Sequence, residues 1–133
     1  MICVTWIMPD QIQGNVIEPF SVGYQLTWPL VSPRGYEDYL TPYVGEEEVS
    51  RITYAVDGYF YFGSGVTGTV LAIKKLYGEL GLLENGVRGR PTPGSGRFFT
   101  GTEALRWEEE KEGLEFIGYM VDLDVSDEAG PRE

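Results

Sequence analysis

Gly63, Gly65 and Gly68 spell G-x-G-x-x-G between a β-rich run and an apolar segment. Where such a turn opens a helix, backbone amides and the helix N-terminus face a bound anion, in the best case a pyrophosphate. A second set is cationic. Arg88, Arg90 and Arg97 join Lys74 and Lys75 in a window, residues 74–97, that holds five of the ten basic residues. Only Glu79 and Glu84 oppose them, so the window carries +3 and leaves −14 on the rest of a chain whose net charge is −11. The three arginines, with Gly63, Gly65 and Gly68, form the candidate anion-binding set: a clamp for phosphate or carboxylate, or a contact with an acidic patch on a second copy.

The third set is acidic. Glu46, Glu47 and Glu48 form one run, and Glu108, Glu109 and Glu110 another. On paired strands, Glu108 and Glu110 would share a face that Asp122 and Asp124 could join. Four clustered carboxylates would suit Ca²⁺ or Mg²⁺, or an acid/base pair, but neither a calcium-loop nor a glycosidase spacing is present. An acidic surface for a basic protein partner is the reading these runs favour. Tyr36, Tyr39 and Tyr43 precede the first run, and tyrosine supplies interface area at low entropic cost. The candidate partner-binding residues are therefore Tyr36, Tyr39, Tyr43, Glu46, Glu47, Glu48, Glu108, Glu109 and Glu110.

Several chemistries are closed by composition. The chain has no histidine, which removes Ser-His-Asp and Cys-His catalysis and His-ligated metal. Cys3 is the single cysteine, so no intramolecular disulfide forms; it sits in an apolar run as a small core residue. No catalytic residue, metal site or cofactor is expected, and the balance is against an enzyme. The acidity repels nucleic acid and anionic membranes over most of the surface. No apolar run is long enough to span a bilayer and no signal peptide is read, so the expected location is cytoplasmic.

The elements that would position these groups follow from patterning. Ile2–Met8 reads as a strand. Val22–Trp28 alternates with period two, as a half-buried strand does. Pro29, Pro33, Gly35, Pro42 and Gly45 imply a long ordered loop over 29–45, carrying the three tyrosines. Arg51–Val56 and Tyr59–Phe62 flank Asp57-Gly58, a two-residue hairpin signal. Val70, Ile73, Leu76, Tyr77, Leu80 and Leu83 fall at helical spacing and predict one main helix over Thr69–Leu83. Residues 86–97 read as a flexible basic loop, and Ala104–Glu110 with Leu114–Val125 as a final hairpin turning at Lys111-Glu112-Gly113. Tyr54, Phe60, Phe62, Trp107 and Phe116 are assigned to the sheet core. The expected fold is α+β: a mostly antiparallel β-sheet packed against one main α-helix, in a single domain over 1–125 with a polar flexible tail over 126–133.

Functionally, the sequence reads as a non-enzymatic acidic protein that occludes a basic surface of a macromolecular partner, in the manner of an inhibitor, an antidote or an anti-defence protein. Two alternatives stay open. One is an assembly subunit of an oligomeric particle, and a homo-oligomer would fit it. The other is a binder of a nucleotide or small anion at Gly63–Gly68.

Overall fold

A computed structural model of the chain describes residues 1–58, 65–82 and 88–125. Strand β1 (Ile2–Ile7) leads through Pro9, which suits a first helical turn, into a short helix, α1 (Pro9–Gln13). Strands β2 (Phe20–Ser21), β3 (Gln25–Trp28) and β4 (Leu30–Val31) follow. A 3₁₀ turn over Pro33–Tyr36 enters α2 (Glu37–Val44), and Gly45 separates it from α3 (Glu46–Ser50). Then come β5 (Tyr54–Val56), the long β6 (Val66–Gly78), β7 (Leu80–Leu82), β8 (Arg88–Pro91), β9 (Arg97–Gly101), β10 (Glu103–Ala104) and the long β11 (Glu115–Val125).

The main sheet runs β3-β6-β11-β1-β5-β4, with β9 also paired to β6. Only the β1–β5 pair is parallel among these registers. Its two ends, β3 and β4, are separated in sequence by Pro29 alone. One bent segment therefore pairs with β6 on one side of the proline and with β5 on the other. Proline lacks the N–H a ladder needs, so it belongs at this corner. The sheet consequently curls into a nearly closed barrel. Closure hides strand edges that would otherwise invite pairing with another chain.

The fold is thus mixed α/β and rich in antiparallel strands, as the sequence implies. Its inner face buries Ile7, Trp28, Leu30, Ile73, Tyr119 and Val121, with Phe20 and Ile12 added from β2 and α1. A second apolar cluster forms on the opposite face. There Trp6, Leu76, Ile117 and Met120 pack against Leu40 and Tyr43 of α2 and against Val49 and Ile52 in and after α3. Cys3 is a buried core residue, as expected, and burial raises its thiol pKa.

Several expected elements differ. The segment predicted as a helix over Thr69–Leu83 is strand for most of its length, and the helices among the described residues are short ones elsewhere. Its apparent helical spacing comes from a bulge. Val70 pairs with Leu123 while Ala72 pairs with Asp122, so Leu71 is an inserted residue and is exposed. The insertion puts Val70 and Ile73 on one face three residues apart. Beyond it Leu76 and Tyr77 are both buried because both faces of the sheet are covered.

The expected loop over 29–45 contains β4, the 3₁₀ turn and α2 instead. Its prolines sit where they do little harm: Pro33 in the first turn of the 3₁₀ helix, and Pro42 near the end of α2. The expected flexible loop over 86–97 contains β8 and the start of β9. Of the expected strand 104–110, only Ala104 is strand. The turn at Lys111–Leu114 is where the sequence places it. Glu112 and Gly113 take φ of 53° and 77°, and Lys111 and Leu114 exchange backbone hydrogen bonds at 2.9 and 3.1 Å. For the Asp57-Gly58 hairpin, the second strand lies outside the described residues, and β5 pairs with β1 and β4. The tail over 126–133 also lies outside them.

Candidate functional site

The acidic run Glu46–Glu48 is the first turn of α3, and Glu37 and Asp38 begin α2. Carboxylates there complement the positive ends of the helix dipoles, which is one reason these segments are helical. Gly45 joins the helices at φ 88° and ψ 163°, a conformation essentially reserved for glycine. The resulting bend opens a cleft of about 330 Å³ walled by Glu37, Asp38, Glu46 and Ser50, with Val49 and Ile52 below. Arg51 turns back to Glu47 and Glu48 at 3.7 and 3.3 Å. Among the described residues, Glu37, Asp38 and Glu46 have no cation within ion-pair distance.

The tyrosines divide by role. Tyr36 donates its hydroxyl to Asp57 Oδ2 at 3.0 Å, and burial, followed by the Asp57 carboxylate, raises its pKa. Tyr43 is 1% exposed and is a core residue; burial and the neighbouring Tyr39 push its pKa up to about 12. Tyr39 stacks edge-on against Tyr43 with ring centroids 5.9 Å apart, yet leaves 39% of its surface open. Of the three, Tyr39 is the one placed to meet a partner.

Glu108, Glu109 and Glu110 lie elsewhere. Lys75 pairs with Tyr119 across β6 and β11 and with Phe99 across β6 and β9, so these three side chains share the inner-cluster face. Leu76, next in sequence, points to the face covered by α2 and α3. The segment 105–110 lies over Lys75 and Tyr119. Glu108 is pinned there: Oε1 accepts from Lys75 Nζ at 2.8 Å, and Oε2 accepts from the Leu105 amide at 2.9 Å and the Tyr119 hydroxyl at 2.5 Å. Its side chain is 5% exposed. Burial, followed by the hydrogen bond to Glu108, raises the Tyr119 pKa. Arg106 ties the same segment to α1 and its exit, donating to the Ile12 carbonyl at 2.7 Å, to Glu18 Oε2 at 2.8 Å and to Asn15 Oδ1.

The structure therefore does not join Tyr36–Glu48 and Glu108–Glu110 into one contact surface. They occupy opposite faces of the sheet, and Glu108 is an internal anchor. Glu109 and Glu110 remain exposed. Among the described residues no three potential metal ligands come together, so the Glu108, Glu110, Asp122 and Asp124 cluster does not form.

The candidate anion site is also altered. Gly63 lies outside the described residues. Gly65 and Gly68 precede and enter β6, so no helix N-terminus follows them. Their glycine character has packing reasons: Gly65 has φ 84°, and a Cβ on Gly68 would lie 2.9 Å from Val125 Cγ1. Arg88 and Arg90 belong to β8 and Arg97 to β9, where Arg90 and Arg97 are exposed.

Trp107, expected in the core, is 66% exposed, and Leu105 is exposed beside it. They flank a groove of about 400 Å³ that Lys75, Tyr77, Phe99 and Lys111 also line. The available signal was local: Trp107 stands between Arg106 and Glu108, in a stretch without the alternation a buried strand needs.

Residues 18–125 match the model of a family of unknown function (DUF6578), and the chain belongs to that family. No curated protein and no solved structure matches it. No helix among the described residues is long and apolar enough to cross a membrane.

Proposed function

We propose that this member of the DUF6578 family binds and occludes a basic surface on a protein partner, and that the helical pair α2–α3 is the contact surface. The observation that carries the reading is the cleft in which Glu37, Asp38 and Glu46 are exposed and, among the described residues, meet no cation within ion-pair distance. Like charges held together repel one another, and a partner's lysine or arginine relieves that repulsion. Tyr39 supplies apolar area at the edge of the charged patch, the arrangement in which interface energy concentrates. The carboxylates would act mainly on the association rate and the tyrosine on dissociation. Inhibitor and antidote proteins use such occlusion; the analogy is one of charge and size.

The test uses a fluorescent oligo-arginine peptide as the probe, with association followed by stopped flow against salt. Glu37→Gln, Asp38→Asn and Glu46→Gln together are expected to slow association and flatten its salt dependence. The control changes three exposed acids elsewhere, Asp10→Asn, Glu103→Gln and Glu112→Gln, and removes the same charge. Equal losses in the two triple variants would show that net charge alone attracts the probe and would refute the cleft. Tyr39→Ala is expected to speed dissociation while the domain stays folded, as circular dichroism would check.

A further inference from the structure

We infer that the groove between Trp107 and Phe99 is a binding site for an organic ammonium group, occupied in the free protein by the chain's own Lys111. This site is separate from the α2–α3 cleft and independent of the partner proposed for it. Its first support is direct: Lys111 Nζ stands 4.3 Å from the Phe99 ring centroid, within the range of a cation–π contact. The ring is held by its neighbour. Phe99 meets Tyr77 edge-to-face at 5.4 Å, and Tyr77 donates its hydroxyl to the Glu109 carbonyl at 3.1 Å.

Trp107 also lines the groove, with 66% of its surface open. A tryptophan this exposed gains little burial energy for the fold, and its indole face is the best of the aromatic surfaces for a cation. Charge points the same way. Lys75 is neutralised by Glu108 at 2.8 Å, whereas Glu109 and Glu110 at the rim are exposed. With Lys111 swung out, the groove keeps the carboxylates of Glu109 and Glu110 beyond the neutralised pair, and the aromatic side chains of Phe99 and Trp107 in its lining. That combination suits a quaternary or substituted ammonium, free in solution or on a lysine side chain, and disfavours an anion. Lys111 sits at the first position of the Lys111–Leu114 turn, so its exposed side chain is able to leave without disturbing β11. It is a tethered competitor.

The experiment titrates the protein with tetramethylammonium chloride, against sodium chloride at matched ionic strength, and follows backbone amides by NMR. The amides of Phe99, Thr100, Trp107 and Lys111 are expected to shift saturably with the organic cation only. Lys111→Gln removes the competitor and is expected to tighten binding roughly two- to five-fold, the worth of an exposed cation–π contact. Trp107→Ala, at an exposed position, is expected to weaken binding with the melting temperature unchanged. A second arm compares choline with a short peptide carrying trimethyl-lysine and separates a free organic ammonium from a protein side chain as the natural source. Shifts that sodium chloride reproduces, or unchanged or weaker binding by Lys111→Gln, would overturn the site.

Discussion

Glu108 shows how one residue's role depends on where the chain carries it. In sequence it is the first of three acids and looks like surface charge. In the structure it accepts three hydrogen bonds, one from a lysine ammonium, while almost wholly removed from solvent. Removing one partner of a buried pair leaves the other charge uncompensated, at a cost of about 3–5 kcal/mol. Glu108→Ala is therefore expected to destabilise the fold by roughly 3 kcal/mol in urea denaturation. Glu110→Ala, on the exposed surface, is expected to stay within about 0.5 kcal/mol. In a double-mutant cycle with Lys75→Met, the coupling should recover much of the Glu108 loss; equal effects of the two glutamates would remove the anchor. The tyrosines make a pH prediction. Burial first, then neighbouring groups, raises Tyr36, Tyr43 and Tyr119 above the ordinary value of about 10. Their protonated forms are favoured in the folded state, so their contribution is complete below about pH 10 and is lost as pH rises through the folded values. For Tyr43 that window runs from its ordinary 10.0 up to about 12. Tyrosinate absorbance from these residues is expected to appear together with loss of circular dichroism; ionisation with the sheet intact would contradict it.

Among elements, the α2–α3 corner depends on a single glycine. A Cβ at Gly45 would meet nothing within 4 Å, so any cost of a side chain there is a backbone cost. With φ 88° and ψ 163°, that cost is of order 1–3 kcal/mol. Gly45→Ala is expected to destabilise by that amount and to widen or close the cleft by turning α3. Gly35→Ala offers the control, since Gly35 also has open space around it and no positive φ; similar losses at both positions would show that the corner is not strained. The long strands illustrate the opposite case. The bulge at Leu71 lets β6 bend as it passes from β3 to β9, and a second irregularity between Phe116 and Gly118 does the same for β11. A Cβ at Gly118 would lie 2.6 Å from the Trp6 ring, so that glycine admits the indole to the core beneath the helices.

At the scale of the molecule, a net charge of −11 dominates. Self-repulsion weakens the compact state, and salt screens it over about 10 Å at 0.1 M. The melting temperature is expected to rise by a few degrees between low and physiological salt. The Glu37, Asp38 and Glu46 triple variant should need less salt to reach the same value, and a flat response would mean the acids are already compensated internally. The basic window from 74 to 97 is spread over β6, β8 and β9, with Lys75 spent on Glu108.

The sequence by itself determined the mixed, strand-rich class, the first strand, the buried Cys3, the Lys111–Leu114 turn and the acidic character. Each is set by local propensity or by composition, which neighbours in space do not alter. Tertiary structure decided the rest. A bulge converts a period of two into a spacing of three, so β6 resembled a helix until β11 stood beside it. Barrel closure at Pro29 pairs segments far apart in sequence, and no local pattern records that pairing. Whether a glutamate or a tryptophan faces water is settled by what lies across from it: Glu108 met Lys75 and Tyr119 and became internal, whereas Trp107, one residue earlier, was left on the rim of a groove.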